Sequence, residues 1–110
     1  MMLINLIQWL EEQDQTAIVR FGFGEPHSFR GYYEQLAFEP VENAVIGEML
    51  AHAKSALGKT FMGYKGGEFE MDEHTDCWIS EYGTSYQATK IGATVLTYWK
   101  DDIRKHKETK

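Results

Sequence analysis

The spacing of apolar residues between Val41 and Leu57 constrains this chain more than any other feature. Val45, Ile46, Met49, Leu50, Ala53 and Leu57 recur at helical steps and form one stripe, and Gly58 stands where a helix stops. A helix with a single apolar stripe must bury it against another layer. The preceding segments supply that layer. "TAIVRFGF", from Thr16 to Phe23, sets Ala17, Val19, Phe21 and Phe23 against Thr16, Ile18 and Arg20. "YYEQLAFEP" sets Tyr32, Glu34, Leu36 and Phe38 against Tyr33, Gln35 and Ala37. Two strands are expected there, joined by the loop "GEPHSFRG" and ended by Pro40, with the helix running over 41–57.

The remaining segments fit the same plan. Leu3, Leu6, Ile7 and Leu10 predict a first helix over 2–12. "KTFMGYKGGEFEM" reads as two short strands around a glycine turn, and "TDCWISEYG" as a further strand. "GATVLTYW" has strand-type residues, but Ile91, Val95, Trp99 and Ile103 fall at steps of four and favour a helix over 91–105. The expected fold is α+β: a small, mainly antiparallel sheet of four or five strands with two or three helices packed on one face. With 110 residues, 43% of them hydrophobic, and no repeat or linker, residues 1–110 form one domain.

Charge and cysteine usage narrow the partners. The net charge of -6 argues against duplex nucleic acid, which needs a broad cationic face. Cys77 has no second cysteine to pair with, which suits a reducing cytoplasm. "MMLINLIQWLEEQ" lacks the basic start and small-residue cleavage site of a leader, and no stretch reaches the roughly 20 apolar residues of a membrane span. A soluble cytoplasmic protein, with no membrane partner, is expected.

Two stretches suggest chemistry. "FGFGEPHSFRGYYEQLAFEP", residues 21–40, holds five glycine or proline residues and six aromatic rings, and "GYKGGEF", residues 63–69, repeats the mixture. Neither is a dinucleotide fingerprint or a phosphate loop, because the third glycine and the Lys-Ser/Thr pair are missing. Turn geometry is the plain reading of these glycines. The functional reading adds their neighbours: His27, Ser28, Arg30 and Lys65 offer donors to an anion, and Tyr32, Tyr33 and Tyr64 offer flat faces. Gly66 and Gly67 would let a ligand approach the backbone. Together they suit a phosphate with an attached base, whose stacking is worth about 1–3 kcal/mol.

Other constellations are weaker. Asp72, His74, Asp76 and Cys77 could be imagined around a metal, with 72, 74 and 76 on one strand face, but no paired ligand spacing accompanies them. No base stands by Cys77 to activate a nucleophile, and pairs such as Glu34 with Glu68 are what 17 acidic residues produce by chance. Neither a metal nor a cofactor is expected, and binding is favoured over catalysis. Trp78, Tyr82, Tyr86, Tyr98 and Trp99 are expected mainly in the core, with a contact between copies of the chain as their second use.

The combination "GEPHSxRGxY", "LAFEP", "GEML" and "GYKGGEF" resembles a family of small bacteriophage-encoded proteins, the likeness spanning roughly residues 15–85. No activity comes with the resemblance; it implies a setting, stoichiometric binding to something in the host. Two uses follow from it. One is sequestering an anionic nucleotide-like ligand, such as a defence signal, between the 24–33 and 63–69 loops. The other is masking a host protein with an acidic surface.

Overall fold

The computed structural model describes residues 1–29, 32–62, 66–80 and 88–108, with the side chains of 32–34 and 106–108 outside the description. Its order is α1 (Leu3–Glu11), β1 (Ile18–Phe29), β2 (Tyr32–Val45), α2 (Ile46–Ala56), β3 (Thr60–Met62), β4 (Glu68–Glu70), β5 (Cys77–Ile79), β6 (Thr89–Lys90) and α3 (Ala93–Glu108). The fold is α+β, with a mostly antiparallel four-stranded sheet ordered β1-β2-β5-β6, a separate β3-β4 pair and three helices.

Helix α1 buries the stripe that its sequence announces, Leu3, Leu6, Ile7 and Leu10. It has no side-chain cap; the amides of Leu3 and Ile4 instead donate to the carbonyls of Thr75 and Glu73, at 2.8 and 3.1 Å. At its other end the Gln15 side chain donates to Leu10 O at 2.9 Å. Helix α2 starts in the same manner. The amides of Ile46 and Gly47 donate to Ala17 O and Gln15 O, both at 2.9 Å, so the α1–β1 connection serves as its cap.

The long hairpin departs from the expected boundaries. Strand β1 continues through "GEPHS" to Phe29, and β2 continues through Pro40 to Val45, so the strands take in most of the expected loop and the start of the expected helix. Register explains both. Ile18 pairs with Val45 and Phe23 with Pro40, after which the pairing shifts so that Pro26 opposes Phe38, leaving Gly24 and Glu25 opposite Glu39 alone. That bulge accommodates Pro26. Among the described residues β5 pairs with Leu36 to Phe38 and not beyond, so that at residue 40 the strand has one described neighbour, β1, which suits Pro40. The β2–β5 pairing is parallel, and among the described residues the other strand pairs are antiparallel.

In α2 the buried positions are Ile46, Met49, Ala53 and Ala56. Leu50 is only partly buried and Leu57 is exposed, which corrects the expected stripe: the helix starts at 46 and turns its face by about one position. Gly58, with φ 77°, ends it as expected. Phe61 opposes Phe69 across β3 and β4, and Gly66 and Gly67 take φ of 97° and 88° in the turn. The ambiguous segment is helix α3, whose Trp99 and Ile103 join the residues of α1, α2, β1 and β2 in one core.

Helix α3 also closes the free edge of β1. Asp102 accepts from the Arg20 amide at 3.0 Å and from its Nε at 3.2 Å, while Trp99 Nε1 donates to Phe21 O at 2.8 Å. Two backbone groups of an edge strand thus find side-chain partners, which discourages pairing with another chain. No helix among the described residues is long and apolar enough to cross a membrane.

Candidate functional site

A cavity built by the described residues lies between the β1–β2 end of the sheet and α3. Its volume is about 490 Å³, and it is lined by Phe21, Gly22, Pro40, Val41, Glu42, Ile79, Thr89, Thr94, Val95, Tyr98 and Trp99. That is ample for a small molecule. Trp99 is fixed in the floor, with its indole nitrogen on Phe21 O and its ring 5.9 Å from Trp9 and 5.8 Å from Phe23.

Phe21 is the unexpected residue. By strand alternation it belongs with Val19 and Phe23, which are 0% and 1% exposed, yet it is itself 59% exposed. Its ring stands edge-on to Tyr98, with centroids 6.4 Å apart and planes at 84°. Behind it Gly22 has no space for a side chain, since a Cβ there would lie 2.5 Å from Ala44 Cβ and 2.8 Å from Met49 Sδ. The glycine lets α2 approach the strand while its backbone forms part of the cleft wall.

The charges around this cleft are unevenly committed. Arg20, at one end, is bound to the buried Asp102, with Nη2 3.2 Å from Oδ1, and lies 5.7 Å from the centroid of the Tyr98 ring. Lys90, beside the lining Thr89, turns to Asp76 at 3.7 Å and over the Trp78 ring at 5.7 Å. Among the described residues, Glu42 is the one charged residue of the lining, and no described residue forms an ion pair or a hydrogen bond with its side chain.

Family models, curated proteins and solved structures give no match to this chain. The site is therefore read from its own geometry.

The residues that the sequence offered for an anion are distributed differently. His27 Nε2 lies 3.3 Å from Glu39 Oε1, so the ring already faces a carboxylate across the hairpin. Ser28 is buried in β1, 8% exposed. Gly66 and Gly67 shape the β3–β4 turn, and among the described residues, chain neighbours aside, none lies within 4 Å of where a Cβ on Gly66 would stand. Arg30, Tyr64 and Lys65 lie outside the described residues, as do the side chains of Tyr32 and Tyr33.

The imagined metal ligands also part company. Residues 72–75 form a turn rather than a strand face, with Asp72 Oδ1 accepting from the His74 amide at 2.8 Å, while Asp76 bridges to Met2 and lies 3.7 Å from the Met1 amino group. Cys77 is in the core, and burial pushes its thiol up to about 12, with Asp76 adding to the shift and the amino group of Met1 opposing it. A thiol held protonated is no nucleophile at neutral pH. Of the aromatics expected in the core, Trp99 is there, Tyr98 lines the cleft, and Trp78 is half-buried and stacked on Phe29 at 4.7 Å. Tyr82 and Tyr86 lie outside the described residues. What sequence reading missed is the pairing of Phe21 with Tyr98: alternation sets Phe21 on the apolar face of the first strand with Val19 and Phe23, and Tyr98 is expected mainly in the core.

Proposed function

We propose that this protein acts by stoichiometric binding, and that its ligand is a small molecule whose flat apolar part fills the cleft between the β1–β2 hairpin and α3. The observation that carries this reading is Phe21, an aromatic ring held in solvent by Tyr98 over a cavity of about 490 Å³. An exposed ring above a concave apolar surface is area that a ligand can remove from water, at about 25 cal/mol for each Å². The nucleotide expected from the sequence needs Arg30 and Lys65 for its phosphate; the described residues that line the cleft offer a seat for a ring and no comparable cation. In the phage setting that the resemblance implies, the ligand is a host molecule held out of circulation.

Amide and indole NMR spectra of the labelled protein, titrated with a panel of ring compounds, test this. Binding should move the Trp99 indole and the Phe21 and Thr94 amide signals, and Thr94→Trp, which places a large ring in the cleft from an exposed helix position, should abolish it. Shifts confined to Ser28, Gly66 and Gly67 would return the site to the loops. A host protein retained in equimolar amount, with no small molecule bound, would favour masking.

A further inference from the structure

The cleft has a charge preference as well as a shape. Phe21 and Glu42 are directly paired across β1 and β2, so their side chains leave the same face of the sheet with Cβ atoms about 5 Å apart. A ligand cation close to the Glu42 carboxylate is therefore also within reach of the Phe21 ring face. Among the described residues, the two cations at the margins of the cleft are turned to other carboxylates, Arg20 to Asp102 and Lys90 to Asp76. Thr89 and Thr94 add hydroxyls to the lining, and both are exposed. The whole chain, at -6, biases encounter in the same direction.

Taking the cleft as the ligand seat, we infer that its ligand class is an aromatic or otherwise apolar body carrying one positive charge, an organic ammonium rather than a phosphate. The apolar body lies against Val95, Trp99 and Tyr98, and the ammonium sits between Glu42 and Phe21. Cation–π attraction and an unshared carboxylate act on the same group. Coulomb repulsion decides the sign for the opposite charge: a carboxylate or phosphate ligand would face Glu42, and no cation stands among the described lining residues to offset the repulsion.

Three probes of matched shape separate this inference from the reading on which it rests: 2-naphthylmethylammonium, neutral 2-naphthylmethanol and anionic 2-naphthoate, titrated by calorimetry and followed by the Trp99 indole signal. The expected order is cation, then neutral, then anion, with the cation about fivefold or more tighter than the alcohol. Glu42→Gln should bring the ammonium to the level of the alcohol, and Glu42→Lys should reverse the order; Glu42 is exposed and no described residue pairs with it, so both variants should keep the fold. Equal binding of cation and alcohol, or no change in Glu42→Gln, would overturn the charge preference and leave the cleft as a site. Failure of all three probes to move the Trp99 signal would overturn the cleft and the preference together.

Discussion

On the α1–α2 flank the core is sealed, whereas on the α3 flank an aromatic ring stands in solvent above an open cleft. Leu3, Leu6, Leu10, Ile46, Met49 and Ala53 are fully buried; Phe21, on a strand that serves both flanks, is not. The difference lies in what each helix brings down. Helix α2 presents a stripe that includes Ala53 and Ala56 and can lie close, helped by Gly22. Helix α3 rests on the indole of Trp99, and one turn earlier Thr94 and Val95 are too short to fill the gap that this large ring leaves. The same packing rule that closes one flank thus leaves the other concave.

The comparison can be broken most directly at Trp99. Trp99→Ala should cost about 3–5 kcal/mol in urea unfolding, because it removes the floor of the cleft and the bond to Phe21 O together. A loss under about 1 kcal/mol would mean that α3 is no part of the core. On the sealed flank, Met49→Ala should cost about 2–5 kcal/mol and Leu50→Ala clearly less, since Leu50 is only partly buried. The reverse order would put the other face of α2 inward.

A smaller effect comes from Cys77. In the unfolded chain its thiol ionises in the ordinary range, while in the folded chain it keeps its proton up to about 12. Above the ordinary range the unfolded state binds fewer protons, so stability falls as pH rises, by about 1–2 kcal/mol near pH 10. Cys77→Ala should flatten that part of the profile whatever it costs at neutral pH, and identical slopes in both proteins would refute the burial of the thiol. The smallest expected change is in Phe21→Ala, within about 0.5 kcal/mol for stability, while ligand binding in the cleft is lost. A large destabilisation there would show Phe21 to be structural.

Much of the fold was legible because it rests on local periodicity. The stripes of α1 and α3, the Phe61–Phe69 hairpin and the stop at Gly58 all follow from spacings within one element. The misplaced boundaries had a tertiary origin: Val41 and Val45 satisfy a helix pattern and a strand pattern equally, and only their register with Gly22 and Ile18 decides. The cleft was not legible at all. It depends on how far Trp99 holds α3 from the sheet, a distance between segments that lie 78 residues apart and that no window of sequence contains.

That separation also has a consequence in time. The two bonds that occupy the outer edge of β1 join residues 82 and 78 positions apart, whereas the β1–β2 hairpin needs only near neighbours. During synthesis the hairpin can zip as soon as it emerges, but its outer edge stays available until α3 has been made and has docked. A nascent chain therefore passes through an interval with a long strand of unpaired peptide groups on view. Slow or interrupted translation between β2 and α3 should prolong that interval and raise the yield of aggregates, in an amount that grows with the concentration of unfinished chains.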